Sequence, residues 1–226
     1  MFDALGTLVA LEPPGPLLRK GLRDHAGVEI SSAQADLALA AEISYYRAHL
    51  DEGRDPQSLA KLRRRCTEKL REALPADARA CESEALEAIL LDALQFSTFA
   101  DARGAIEAAR RLPARVLVVS NWDVSLEDVL ANLGLAPLLD GVVTSARAGA
   151  RKPAPAIFTR ALELAGVPRE RAVHVGDSVE EDVAGARRAG IEPILLSRNG
   201  PAGPPGVTTI ASLSDLARDL WPSASG

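Results

Sequence analysis

The chain has 226 residues, 47% of them hydrophobic, which suits one large domain or a core domain with a smaller companion. A formal net charge of −5 argues against a nucleic-acid partner and leaves a small-molecule or protein partner open. With two cysteines, Cys66 and Cys81, buried reduced thiols are expected rather than a disulfide scaffold. No basic region followed by an apolar stretch opens the chain, and no apolar run approaches the ~18 residues that span a bilayer. A cytoplasmic protein without a membrane partner is therefore expected.

In chain order, the first element is an apolar start that ends at Asp3, followed by a turn at Gly6–Thr7. From about Glu12 to Thr98 there is no convincing strand. Leu39, Ile43, Tyr46 and Leu50 fall on one helical stripe, Leu62, Cys66, Leu70 and Leu74 on a second, and Leu86, Ile89, Leu90, Ala93 and Leu94 on a third. Pro13-Pro14-Gly15-Pro16 marks one side of a hinge, and 95–102 is the return. Short apolar runs rich in β-branched residues then appear at Val116–Val119, Val142–Thr144, Ala172–Val175, Ile194–Leu196 and Val207–Ile210, alternating with stretches of helical length. Gly200–Gly206 reads as a surface loop. The pattern predicts an α/β fold: a Rossmann-like, doubly wound parallel sheet core (1–11 and 99–226), interrupted after its first strand by an α-helical domain (12–98).

Ligands of open α/β sheets bind at the carboxyl ends of the strands, so reactive residues at those ends are the candidates. Asp3 follows the first strand. "VLVVSNWD" puts Ser120 at the end of the second, "ARKPAPAIF" puts Lys152 just before a helix start, and "VHVGDSVEED" puts Asp177 at a further strand end, with Glu181 and Asp182 nearby. These parts suit phosphoryl transfer through a covalent intermediate. Asp3 is the candidate nucleophile, forming an aspartyl-phosphate. Lys152 is a compact charge for the phosphoryl oxygens, aimed by Pro153, which is assigned to the first helical turn. Ser120 and the backbone N–H groups after it, beginning with Asn121, can donate to the same oxygens. Gly6 permits a tight turn from which Thr7 offers hydroxyl and N–H. Asp3 and Asp177 together make a hard oxygen site for Mg²⁺.

Each residue alone has a plainer reading. Asp3 could be a turn residue, Lys152 a solvated charge, Ser120 a loop hydroxyl and Asp177 a helix N-cap ahead of an acidic first turn. Ser125 with Asp128 and Ser212 with Asp215 fit capping boxes. His174, inside a strand, reads as a packed histidine. Trp122 either lines the pocket or packs. The signal lies in the order and spacing of the four pieces together.

"FDALGTL", "VVSNWD", "RKPAPAIF" and "HVGDSVEEDVAGARRAG" resemble, in order, the four motifs of the haloacid dehalogenase-like (HAD) hydrolase superfamily. The resemblance runs from Asp3 to about Leu196. It implies that Asp3 is the nucleophile, that Ser120 and Lys152 bind phosphate, and that Asp177 and the Leu5 carbonyl hold Mg²⁺. It gives Asp182 a metal-supporting role. It also implies that the helical block is a mobile cap supplying specificity, where Tyr45, Tyr46, Arg47 and His49 form the polar and aromatic cluster, with Tyr46 and Arg47 as substrate-binding candidates. The expected activity is that of a Mg²⁺-dependent phosphatase acting on a small phosphorylated metabolite. Oligomeric state is not readable.

Two departures stand out. Phosphatases of the superfamily usually carry an acidic residue two positions after the nucleophile, as general acid for the leaving alcohol, and this chain has Leu5. Only Met1 and Phe2 precede Asp3, whereas strands usually run to about five residues. A start upstream of Met1, a trimmed chain or an unusually short central strand would account for this. The 2-haloacid dehalogenases of the superfamily also lack the acid, because halide leaves without a proton, and a metal-independent dehalogenase is the second reading. Against it, "VGDSVEED" is unlike their fourth motif. A weakly active or regulatory protein that keeps the fold is the third.

Overall fold

The computed structural model describes residues 1–198, 200 and 203–216. The first half of the chain holds strand β1 (Val9–Leu11), helices α1 (Pro14–Ala26), α2 (Ser32–His49), α3 (Pro56–Ala73), α4 (Ala76–Arg79) and α5 (Ser83–Ala93), strand β2 (Phe96–Thr98) and helix α6 (Ala102–Arg110). Then follow β3 (Leu117–Ser120), α7 (Leu126–Asn132), β4 (Gly141–Thr144), α8 (Ser145–Ala148), α9 (Pro155–Ala165), β5 (Val173–Gly176), α10 (Ala184–Ala189), β6 (Glu192–Leu196) and β7 (Thr208–Ile210). The protein is an α/β protein with parallel strands, as its sequence predicts.

The apolar runs pair as parallel neighbours. β3 lies beside β4, with Ser120 opposite Thr144. β5 lies beside β6, and β6 beside β7. Met1–Asp3 fills the place between the two groups. Phe2 bridges Val118 on one side and Val175 on the other, both in parallel sense. Its N–H donates to the Leu117 carbonyl at 2.9 Å, and the Asp3 N–H donates to the Val175 carbonyl at 2.8 Å. Met1–Asp3 thus holds the central position, and the order across the sheet is β4, β3, Met1–Asp3, β5, β6, β7. Asp3, Ser120 and Gly176 therefore end three neighbouring chains at one edge. Below that edge Leu117, Val119 and Val143 pack against Ile157, Phe158 and Ala161 of α9.

The chain divides into two compact units: Leu11–Phe96, and Met1–Ala10 with the chain from Ser97 onward. Leu11–Phe96 has its own apolar core, to which the three stripes contribute Leu39; Leu62, Cys66, Leu70 and Leu74; and Leu86, Ile89, Leu90 and Ala93. Two elements differ from expectation here. The proline stretch is not only a hinge, because Pro14 begins α1 at a position where a missing N–H costs nothing. Leu18 and Leu22 of that helix join the core. Phe96–Thr98 forms a strand paired with β1, and three residues are too few to show a period of two.

Ser125 makes no side-chain cap; its N–H is instead bound by Asp123 Oδ1 at 2.7 Å. Asp215 accepts from the Ser212 N–H at 3.1 Å, one half of the expected box. Within the 200–206 loop, 201 and 202 lie outside the described residues, as does everything after 216. Among the described residues no helix is long and apolar enough to cross a membrane.

Glu42 of α2 is buried beside Cys66 of α3, and burial pushes its carboxyl up to about 7 against an opposing hydrogen bond from Cys66. In the unfolded chain the same group ionises near 4.5. Folding stability from this site is therefore full below pH 4.5 and lost as pH rises through 7, by roughly 3 kcal/mol at most. Glu42→Gln should raise the denaturation midpoint at pH 8 and leave it nearly unchanged at pH 4.5. Denaturant titrations at both pH values check this, and an equal shift at both would count against it.

Candidate active site

The turn after Asp3 is shaped by one glycine. Gly6 has φ 84°, a left-handed conformation that favours glycine. A Cβ there would overlap the Asp177 carboxylate, so the close approach of the two motifs also requires glycine. The Gly6 N–H donates to the Val9 carbonyl at 2.8 Å and the Val9 N–H to the Ala4 carbonyl at 2.9 Å, which keeps the Leu5 carbonyl out of this bridge. Leu5 is 37% exposed. Thr7 is buried, its N–H donates to the Ala4 carbonyl at 3.2 Å, and its hydroxyl has no partner among the described residues.

Lys152 is the centre of the site. Only 2% of it is exposed, and its Nζ donates to Asp3 Oδ1 at 2.6 Å and to Asp182 Oδ1 at 2.6 Å. Asn121 clips its backbone: Asn121 Oδ1 accepts from the Lys152 N–H at 2.7 Å, and Asn121 Nδ2 donates to the Lys152 carbonyl at 3.0 Å. The same Nδ2 donates to Glu181 Oε2 at 2.9 Å. Both amide hydrogens of Asn121 are thus engaged, and its backbone N–H, the group expected to donate to phosphate, is not among these contacts. Pro155, not Pro153, holds the first helical position of α9.

The fourth piece comes from the end of β5. Ser178, rather than Asp177, caps the turn that follows, its hydroxyl accepting from the Glu181 N–H at 3.1 Å. The Val179–Val183 segment is a π-helical turn, a form often found at functional sites. It brings Asp182 back over Gly176, where any Cβ would overlap its carboxylate. Asp182 Oδ1 accepts from Lys152 and, at 2.8 Å, from His174 Nε2, and Oδ2 accepts from the Ser178 N–H at 3.0 Å. Three of its roughly four acceptor positions are filled from within the protein, so Asp182 supports Lys152 before it can serve a metal.

Asp3, Asp177 and Asp182 each offer an oxygen within 4.8 Å of the others. One ammonium faces three carboxylates, so full ionisation leaves two negative charges uncompensated. Burial pushes the Asp3 carboxyl up, against the pull of Lys152 and a hydrogen bond from Ser120. Burial and the charges of Asp3 and Asp182 push Asp177 up to about 6. Asp182 is held well below the usual carboxylate range: Lys152 and His174 outweigh its burial. Lys152, between two acids, is held above its ordinary value despite burial. An all-oxygen donor set with this charge excess fits a hard divalent cation.

Asp3, Lys152, Ser120, Asp177 and Asp182 are thus brought together, with Gly6 against Asp177. Trp122 is buried, its N–H within 3.2 Å of Ser145 Oγ and its carbonyl accepting from the Ala146 N–H at 3.2 Å. Tyr46 and Arg47 lie on α2 in the helical unit, where Tyr46 packs against the core. Tyr45 and His49 stack at 4.0 Å, and His49 Nδ1 lies 2.8 Å from the Tyr45 carbonyl. His174 is not merely packed, since it contacts Asp182. The signal for it was present: His174 and Gly176 are two apart in a strand and share a face. Arg198 was missed altogether. It donates to the Thr7 carbonyl at 2.9 Å while paired with Asp101, and nothing local in the sequence points to it.

The sequence model described as a haloacid dehalogenase-like hydrolase matches residues 1–190. The bovine (Bos taurus) haloacid dehalogenase-like hydrolase domain-containing protein 3 is 40% identical over 103 residues, 46% of this chain and 41% of that protein. A phosphoserine phosphatase of Thermus thermophilus is 33% identical over 132 residues, 58% of this chain and 52% of that protein. The chain thus spans about half the length of the curated relatives it matches. Among solved structures, a HAD phosphatase from Thermococcus onnurineus superposes with a TM-score of 0.64 at 22% identity, covering 95% of this chain and 94% of that one. A 2-haloacid dehalogenase from Pseudomonas syringae pv. Tomato superposes at 0.66 and 25% identity, with 95% and 94% covered. With four motifs at one sheet edge and a family match over most of its length, the chain belongs to the haloacid dehalogenase-like hydrolases.

Proposed function

We propose that this hydrolase is a Mg²⁺-dependent phosphatase that acts on a small phosphorylated metabolite through an aspartyl-phosphate on Asp3. The observation that carries the reading is Asp3 bound at 2.6 Å by a buried lysine, within a cluster of three carboxylates. In the first step an Asp3 carboxylate oxygen attacks phosphorus, and the bond to the leaving oxygen breaks with its electron pair going to the leaving group. Water then cleaves the acyl-phosphate, releasing inorganic phosphate and restoring Asp3. Lys152 favours the ionised form of Asp3 and sets its orientation, and Ser120 supplies a second donor. When bound, Mg²⁺ would be held by Asp3 and Asp177 with the Leu5 carbonyl, and would neutralise charge on the phosphoryl oxygens. The helical unit would act as the cap, with Tyr46, Arg47 and His49 as sources of specificity. The partner is then a cytoplasmic small molecule, not nucleic acid or membrane.

The named phosphatase among its relatives supports this reading. Leu5 and the dehalogenase neighbour keep a second reading in play, a metal-independent 2-haloacid dehalogenase. The two separate in one experiment. Hydrolysis of p-nitrophenyl phosphate is expected to require Mg²⁺ and stop with EDTA, and Asp3→Asn should lower it by at least about 10³-fold. Halide release from 2-chloropropionate that persists in EDTA would establish the second reading instead.

Leu5 has a direct consequence for substrate range. A general acid contributes about 10²–10⁴-fold when the leaving group needs a proton. An alkyl alcohol needs one; a phenolate or a carboxylate largely does not. Aryl and acyl phosphates should therefore turn over faster than alkyl phosphates, and Leu5→Asp should raise alkyl phosphate hydrolysis far more than aryl. Wild-type rates on sugar phosphates equal to that on p-nitrophenyl phosphate would refute this.

A further inference from the structure

We infer that His174 is a positioning residue that fixes Lys152 against Asp3 by locking the Asp182 carboxylate. The inference rests on the reading of Asp3 and Lys152 as the reacting pair, and it assigns a role to a histidine that the sequence presents only as a packed residue.

The tautomer follows from the neighbours. Asp182 receives a donor on each oxygen, Lys152 Nζ on Oδ1 and the Ser178 N–H on Oδ2, so it only accepts hydrogen bonds. His174 Nε2, 2.8 Å from Asp182 Oδ1, must therefore carry the proton. The ring is fully buried and Nδ1 meets no acceptor among the described residues, so a second proton there would be unpaired and Nδ1 bears the lone pair. That Nδ1 is buried with no partner among the described residues. A histidine that served only as filler would leave a polar nitrogen idle in the core, where an apolar ring would cost less.

The aspartate needs an external lock. Rotation about its Cβ–Cγ bond is broad and roughly two-fold, so backbone placement alone does not aim the oxygens. Here two fixed donors reach opposite oxygens: His174 Nε2 binds Oδ1 and the Ser178 N–H binds Oδ2. With the carboxylate held from both sides, Oδ1 stays 2.6 Å from Lys152 Nζ, which in turn stays 2.6 Å from Asp3. His174 is itself fixed. It sits on β5, whose Val175 neighbours the Met1–Asp3 segment, and its ring meets Phe158 edge-on with centroids 4.9 Å apart. Gly176, on the same face two residues on, carries no side chain to displace Asp182. A rigid strand, an imidazole, a carboxylate and an ammonium thus form one line ending at the nucleophile.

The test compares His174→Leu, which removes the donor, with His174→Gln, whose amide N–H can reach the place of Nε2. The ¹⁵N resonance of the Lys152 ammonium, assigned by its loss in Lys152→Met, should shift or broaden in His174→Leu and stay near the wild-type position in His174→Gln. With p-nitrophenyl phosphate and excess Mg²⁺, His174→Leu should lower kcat about 10–100-fold with a smaller change in KM, and His174→Gln should recover most of the loss. In a Lys152→Met background, His174→Leu should add less than about twofold, because the residue it acts through is gone. An unchanged ammonium resonance in His174→Leu would overturn the inference. So would equal damage from the Leu and Gln variants, or a full His174→Leu effect without Lys152. Should the wild-type protein fail to turn over p-nitrophenyl phosphate, the phosphatase reading falls, while the ammonium resonance still decides the role of His174.

Discussion

A single ammonium buried between two buried carboxylates is the interaction on which the site depends. A charge so far from water is tolerated only when it is paired and hydrogen-bonded. Lys152 meets that condition with Asp3 on one side and Asp182 on the other. Removing the ammonium would leave two buried carboxylates without compensation, and removing either acid would leave it a single partner, so each member of the trio constrains the other two. Nearby architecture serves this requirement. Asn121 holds the lysine backbone at both its N–H and its carbonyl, so the side chain starts from a fixed point. Gly176 clears the space in which Asp182 lies, and the π-helical turn after β5 delivers it there.

The sheet sets where this trio can form. Met1–Asp3 lies between β3 and β5, so the carboxyl end of the central segment is flanked by the ends of two parallel strands. Ser120 arrives from one side and Gly176–Asp177 from the other. Parallel pairing is what makes three strand ends coincide at one edge, and it is why motifs more than a hundred residues apart can share one site. Gly6 then permits the approach of Asp177 to the turn after Asp3.

Much of this was legible in the sequence, for reasons that vary by residue. The β-branched apolar runs marked the strands to within one or two residues because both faces of the sheet are buried. Leu62, Cys66, Leu70 and Leu74 marked a helix because four-residue spacing holds one face. Asp3, Ser120, Lys152 and Asp177 could be placed together because strand ends converge. What was hidden depends on side chains that meet across the fold. Asn121 and Lys152 are 31 residues apart, and nothing in "VVSNWD" says that the amide turns to a backbone rather than to a ligand. Arg198 reaches Thr7 across 191 residues. Pro153 and Pro155 are both compatible with a helix start, and a choice between them requires the backbone. Phe96–Thr98 is a strand only because β1 lies beside it.

The three carboxylates differ less in kind than in how many fixed donors each receives, and that count accords with the roles proposed for them. Asp182 accepts from Lys152, His174 and the Ser178 N–H; it is the most firmly ionised and the least able to change partners. Asp3 accepts from Lys152 and Ser120, enough to orient it but too few to overcome burial, so it retains a high free energy as an anion. Asp177 has a hydrogen bond only from its own backbone N–H among the described residues, and it titrates near 6. An anchor should be saturated, a nucleophile oriented but not satisfied, and a group meant for an outside cation left short of donors. The chain achieves this gradient with one residue type at three positions, by varying the neighbours rather than the acid itself.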